Sequence, residues 1–331
     1  MKDTVLVLGA TGGIGGEVAR QLNAAGWGVR AMARSVPSDA GDGIDWRRGD
    51  AMKANEVLAA AQNCTVIVHA VNPPGYKRWG ELAVPMLDNT IAAAERTGAT
   101  IVLPGNIYNY GENAFPSIAE EAPQKPASRK GAVRVAMEQR LLDFAERGGR
   151  VLIVRAGDFF GPHAGNNWFS QGLVKAGRPV TRIDNPGPGV GHQWAYLPDV
   201  ARTIVQLLAM REKLEPFAHF HFGGHWDADG TQMADAIQKA VAGYGGTRPS
   251  ISRFPWWLVR LASPFVETFR EMLEMRYLWQ QPVRMDNRRL LSVLGHEPHT
   301  PLDEAVEATL VGLGCISSTR PVEGTRVQAA S

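Results

Sequence analysis

The stretch VLVLGATGGIGGEVARQL, residues 5–22, confines this chain to few folds. An apolar, β-branched run ends at Gly9, glycines recur at 12, 13, 15 and 16, and an amphipathic pattern follows. The spacing of Gly9, Gly12 and Gly15, G-x-x-G-x-x-G, predicts a strand turning tightly into a helix that begins near residues 13–16. Glycine permits positive φ and lets backbone amides approach a pyrophosphate at the helix N-terminus. A glycine fingerprint alone is weak. One that ends a strand, opens a helix and starts a βαβ unit of about 30 residues marks a nucleotide site.

Short apolar runs recur at 4–9, 28–33, 65–71, 100–105 and 151–155, with helical patterns at about 15–25, 54–62, 80–97 and 130–147. Such alternation predicts an α/β, doubly wound parallel sheet of the Rossmann type. The core is expected over residues 1–160, with 195–224 returning to it. Residues 161–194 and 225–315 are expected to form a smaller substrate-binding lid, and 316–331 a disordered tail. A helix is expected from Asp199, read as its N-cap.

Composition excludes several partners. Basic and acidic residues number 35 and 33, with no basic runs interleaved with aromatics, so nucleic acid is not expected. No run approaches the roughly 18 apolar residues of a membrane span, and the N-terminus lacks a signal-peptide pattern, so a cytoplasmic location is expected. Cys64 and Cys315 cannot build a disulfide framework, and Cys64 reads as a small buried thiol.

The second strand bears on cofactor choice. An NAD site would place a carboxylate near its end, but Ala31-Met32-Ala33-Arg34-Ser35 stands there, with Asp39 the next acid. Arg34 can fork onto a 2′-phosphate, which favours NADP over NAD.

These features resemble the extended and atypical branch of the short-chain dehydrogenase/reductase superfamily, the epimerases, dehydratases and reductases. GATGGIG resembles the cofactor loop, so Gly9, Thr11, Gly12, Gly13, Ile14 and Gly15 are implied to hold the nucleotide. Gly49-Asp50, with Ala51, resembles the turn that meets the adenine. His69-Ala70-Val71-Asn72 resembles the strand end beside the nicotinamide ribose. Tyr110-Gly111, the segment Arg155-Ala156-Gly157-Asp158-Phe159-Phe160-Gly161-Pro162, and Trp194-Ala195-Tyr196-Leu197-Pro198-Asp199 resemble later landmarks. The resemblance also implies a homodimer built from the helices at 80–97 and 130–147.

The family's Ser-Tyr-Lys set is missing. Registering Tyr110-Gly111 on the family's YG puts Asn106 at the serine position. No tyrosine lies between Tyr110 and Tyr196, and Lys130 and Arg134 stand at the Y-x-x-x-K spacing, or Arg129 after a one-residue slip. Arginine stays charged and can clamp cofactor ribose or phosphate, as can Lys130. Asn106, Tyr108 and Tyr110 alternate, so in extended geometry they share a face. Tyr108, with Lys130 and Asn106, is therefore the expected replacement in an NADP(H)-dependent carbonyl reduction or oxidation. Two alternatives stand beside it: a non-catalytic NADP(H)-binding sensor or scaffold, and a nucleotide-sugar epimerase or dehydratase.

The lid stretch supplies Trp256, Trp257, Met272, Met275, Tyr277 and Trp279, which suits an apolar small-molecule substrate or ordinary core. The same stretch can also rest on a membrane surface or a partner. Phe159, His163, Asn167 and His192 are candidate substrate contacts. His219, His221 and His225 lack the ligand set of a metal site, so no metal is expected. Glu138, Asp143 and Glu146 read as a solvated helix face.

Overall fold

The computed structural model describes residues 3–38, 43–73, 78–165 and 167–319. Asp39 and residues 320–331 of the expected tail lie outside them. Seven strands form one sheet: β1 (Thr4–Leu8), β2 (Gly28–Ala33), β3 (Asp45–Arg48), β4 (Val66–His69), β5 (Thr100–Asn106), β6 (Val151–Ala156) and β7 (Phe217–His221). Their order is β3-β2-β1-β4-β5-β6-β7, every pair parallel. The order reverses beside β1, where Leu8 pairs with Met32 on one side and His69 on the other. At such a reversal neighbouring loops part at the carboxyl edge, leaving a crevice for ligands.

The period of two along β1 builds both layers. Val5 and Val7 enter the core under α1 (Gly13–Ala24) and α5 (Leu197–Ala209). Leu6 and Leu8 enter the opposite core under α2 (Ala54–Ala61), α3 (Trp79–Thr97) and α4 (Arg129–Glu146). Each fully buried side chain of this size contributes about 1.5–3 kcal/mol relative to exposure. The doubly wound fold expected from the alternation is thus present. β3 was not visible as a strand because Asp45-Trp46-Arg47-Arg48 is charged. An edge strand tolerates this, and Asp45 pairs with Arg30 of β2 and with Arg47.

The C-terminal part packs α6 (Gln232–Gly243) and α10 (Leu302–Gly312) around Phe160, Trp194 and Trp279. Between them, α7 (Trp256–Ala262) and α8 (Glu267–Glu274) form a helical hairpin, followed by α9 (Arg288–Leu294).

Asp199 does not cap α5. The helix begins two residues earlier, with Tyr196 as N-cap and Pro198 in the first turn. The buried Asp199 carboxylate instead accepts from the Thr300 amide at 2.7 Å and pairs with Arg202, tying the segment before α10 to the core.

Candidate functional site

The glycine loop takes its expected form. Gly9 has φ +87°, and a Cβ there would lie 2.6 Å from the Ala70 carbonyl oxygen. A Cβ on Gly15 would fall 2.3 Å from the Gly9 oxygen, so the helix start can press onto the strand end only with glycine there. The first turn of α1 carries no acidic side chain, which leaves its positive end open to an anion.

Along this loop runs a groove of about 380 Å³ lined by Gly9, Thr11, Gly12, Gly13, Ile14, Arg34, Asp50, Ala51, Ala70, Val71 and Asn72. Gly15 lies behind it, buried. Among the described residues no acidic group pairs with Arg34, and Asp50 is the one carboxylate of the lining. Ala164 and Asn167, from the loop after β6, close the groove from above. These features fit a dinucleotide: bare backbone at the turn, a free helix end, and a cation at the end of β2.

A second cavity of about 630 Å³ continues from the groove and shares Ile14, Ala70, Val71, Asn72, Phe159 and Asn167 with it. Its wall includes Asn106, Tyr108, Lys130 and Arg134, so the structure brings the expected catalytic group together. Gly131 is the reason. A Cβ there would meet the Tyr108 carbonyl oxygen at 2.1 Å, so the start of α4 lies directly on the Tyr108 turn. Ser128 caps that helix by accepting from the Gly131 amide at 3.0 Å.

Alternation does not persist past Asn106. The Asn106 side chain accepts from the Tyr108 amide at 3.0 Å, folding Ile107–Asn109 into a 3-10 turn. Tyr108 therefore stays at the cavity, while Tyr110 turns into the core and reaches His221 at 3.1 Å. Burial pushes the Tyr110 phenol up to about 12. Lys130 pairs with Glu271 of α8 at 2.8 Å. Arg134 lies 5.1 Å over the Trp79 ring and donates to Asn72 Oδ1 at 3.4 Å, to which Trp79 Nε1 also donates. Arg134 thus orients Asn72, a residue common to groove and cavity.

Other expectations are corrected. His163 is exposed and lines neither space, because the loop after Gly161 turns it outward. His192 is buried behind the cavity, stacked on Trp279 at 3.7 Å, with Nε2 2.9 Å from Asp158 Oδ2 and Nδ1 3.3 Å from the Leu278 carbonyl oxygen. It acts on the cavity through Asp158, which lines it. The ring thus bridges the Asp158 carboxyl and the Leu278 carbonyl, which fixes its orientation behind the wall. Phe159 and Asn167 line the cavity as expected. Met272 and Met275 do so from the lid stretch, with Trp168, Phe254 and Phe269, whereas Trp257 is exposed and Trp279 is core. Glu138 is not solvated. Its carboxylate, fully buried, grips Arg155 at 2.6 Å and accepts from Gln124 at 2.8 Å.

Sequence reading missed Glu271, Asp158 and His69 as site residues. Nothing in the spacing of α8 marks Glu271, since its partner lies on α4. His69 lines the cavity with Nδ1 2.8 Å from Thr90 Oγ1. Thr90 donates its own proton to the Met86 carbonyl, so Nδ1 of His69 is the donor and Nε2 is left as a buried acceptor without a partner.

Burial, aided by Arg134 and Arg155 respectively, drives His69 and His221 down to about 3. Burial first, then Arg155 and Arg289 for His219 and the His299 ring for His225, take these two to about 4. His221 spans Tyr110 and Ile118, and His225 packs on Phe160 and His299. Among the described residues no cluster could hold a metal. Each of the four protonates more readily in the unfolded chain. Their stabilisation is fully present above about pH 6.5 and falls by about 1.4 kcal/mol per pH unit per histidine below it. The melting temperature should therefore drop steeply between pH 6.5 and 5. A flat profile over that window would contradict the burial of neutral imidazoles.

Comparison with known proteins agrees with this geometry. Among solved structures, MoeE5 in complex with UDP-glucose and NAD superposes with TM-score 0.71 at 19% identity, over 94% of this chain and 98% of that one. A UDP-glucose 4-epimerase from Thermotoga maritima with UDP-glucose gives 0.70 at 17% identity, over 93% and 97%. A UDP-N-acetylglucosamine 4-epimerase from Bacillus cereus gives 0.68 at 17%, over 92% and 94%. At these identities the likeness establishes the fold. A search of curated proteins finds no match. The family model described as NAD dependent epimerase/dehydratase matches residues 5–223, from the first strand through the last strand of the sheet. Glycine loop, sheet reversal and that match converge: the chain belongs to the NAD dependent epimerase/dehydratase family.

Proposed function

We propose that this chain is a pyridine-nucleotide-dependent enzyme that moves a hydride at a hydroxyl- or carbonyl-bearing carbon of a small substrate. One observation carries the reading: groove and cavity share six residues, so a dinucleotide lying along the glycine loop would end against the substrate. When bound, the nucleotide supplies the hydride acceptor or donor. Gly9, Thr11, Gly12 and Gly13 would hold its pyrophosphate, Gly15 permits the approach of the helix, and Asp50 and Ala51 would meet the adenine. Ala70, Val71 and Asn72 border the nicotinamide ribose. Residues 161–194 and 225–315 serve as the substrate lid over a core of 1–160 and 195–224.

Tyr108 holds or takes the proton at its phenolic oxygen. Lys130, paired with Glu271 at 2.8 Å, puts a cation on the same cavity wall, which favours a phenolate there. Asn106 uses its carbonyl to set the turn, which leaves its amide group to donate to a substrate oxygen.

The net outcome expected from sequence was carbonyl reduction or oxidation. Family membership favours the redox-neutral alternative, in which a substrate carbon is oxidised, rearranged and reduced again, as in epimerases and dehydratases. The relatives named for UDP-sugars make a nucleotide sugar the first substrate to try. A second reading, net reduction of an apolar ketone, is favoured by Trp79, Trp168, Phe254, Phe269 and Met272 in the lining. Nucleotide-loaded protein, offered both panels and followed by NMR and by absorbance of the reduced cofactor, separates the two. Product without net cofactor change supports epimerase or dehydratase chemistry. Tight nucleotide binding with no product from either panel would leave a sensor or scaffold.

We assign NADP as the preferred cofactor through Arg34. Arg34→Ala should weaken NADP binding by about tenfold or more, the worth of a charge-assisted contact, and leave NAD within about twofold. Equal losses for both, measured by calorimetric titration, would remove that role.

A further inference from the structure

The hairpin of α7 and α8 has two faces. Inward, Phe269, Glu271 and Met272 wall the cavity. Outward, Phe265 is 88% exposed, Leu261 69% and Trp257 68%, with Leu258 and Val266 beside them. Other exposed large apolar residues, such as Met52 and Leu291, lie apart in the sequence, whereas these five fall within ten positions along α7 and its turn into α8. Together they make an exposed apolar knob along one short helix and the turn that follows it.

The charged residues flanking the knob in sequence are mostly basic. Arg253 precedes α7, Arg260 lies on it, and Arg270 donates to the Pro264 carbonyl at 3.5 Å, beside Phe265. All three are exposed, and among the described residues none has a carboxylate within ion-pair range. Of the acids on α8, Glu271 and Glu274 are turned inward onto Lys130 and Arg129, leaving Glu267 alone near the knob. An apolar knob with a tryptophan and a collar of unpaired arginines is complementary to an anionic lipid surface. The apolar groups would enter the acyl boundary and the guanidinium groups would meet phosphates.

The geometry points to docking of this hairpin on an anionic membrane surface, without a span. No described helix is long and apolar enough to cross a bilayer. Glu267 and Thr268 are both exposed and line the cavity, so its mouth opens beside the knob. Docking would set that mouth against the lipid, which suits a substrate dissolved in the bilayer. This last step alone rests on the second, apolar-substrate reading of the proposed function; docking itself does not.

Sedimentation of the full chain with vesicles tests the inference. The chain should pellet with phosphatidylcholine vesicles containing phosphatidylglycerol, at least about tenfold better than with phosphatidylcholine alone, and less so at high salt. Trp257→Ser/Leu261→Ser/Phe265→Ser should stay in the supernatant while keeping its melting temperature and nucleotide binding. If that variant misfolds, Arg260→Glu/Arg270→Glu provides the same reading through charge. Failure of the wild type to pellet, equal binding to neutral vesicles, or unaltered binding of both variants would overturn docking. A dimer-to-monomer change in the apolar variant without vesicle binding would instead make the knob a contact between two copies. Nucleotide affinity, measured in parallel, keeps failure of docking separate from failure of the cofactor reading.

Discussion

Replacing Arg155 by methionine should destabilise the protein by about 3–5 kcal/mol, the usual cost of removing one partner from a buried ion pair. Arg155 on β6 and Glu138 on α4 are both enclosed, joined by Nε–Oε1 at 3.0 Å and Nη2–Oε2 at 2.6 Å. Burial opposes ionisation of Glu138, but the Arg155 charge and the hydrogen bonds from Arg155 and Gln124 outweigh it and hold the carboxyl below its ordinary range. Its stabilisation is therefore present above about pH 4.5 and is lost as pH falls through the lowered value. Asn109 donates to Gln124 at 3.1 Å, and Arg155 Nη1 lies 3.3 Å from His221, so the pair also anchors the turn carrying Tyr108. Denaturant midpoints should show the loss, with much of it recovered in Arg155→Met/Glu138→Leu, where no charge is left alone. A single substitution costing under about 1 kcal/mol would contradict a buried pair.

Tyr108→Phe should lower kcat by about 10²–10⁴-fold on a confirmed substrate, the range for loss of a positioned acid–base group. Nucleotide affinity should be unchanged, because Tyr108 lines the substrate cavity and not the groove. Lys130→Met should produce a smaller loss, since it removes a cation from the same cavity wall without removing the phenol. Full turnover by Tyr108→Phe would remove the phenol from the chemistry. Asp158, which lines the cavity 2.9 Å from His192 Nε2, would then be the next group to substitute.

The sheet and the glycine loop at its edge were legible because their signals are local. β-branched runs, helical periods and a glycine spacing are each read within some ten residues. What failed was non-local. Glu138 looks solvated by its spacing from Asp143 and Glu146, because its partner is on another element. His192 falls in a loop-rich stretch but is drawn under Trp279 and onto Asp158. Tyr110 shares the phase of Asn106 and Tyr108 until the Asn106 side chain takes the Tyr108 amide and ends the strand. Asp199 carries a capping residue's chemistry but spends it on Thr300, far along the chain. The charged strand β3 obeys edge rules that pattern reading does not separate from a loop. Over residues 256–279 an aromatic and Met stretch was recognised, but tertiary packing decides that Met272 faces the cavity while Trp257 is exposed.

The most direct test begins with protein purified without added cofactor. Denature it, identify the released nucleotide, and titrate the emptied and refolded chain with NAD, NADH, NADP and NADPH, alongside Gly15→Val. A pyridine dinucleotide in the released fraction or saturable binding of at least one of the four, lost in Gly15→Val, is the predicted result. Binding of none, or binding that Gly15→Val leaves intact, would contradict a cofactor seated on the glycine loop.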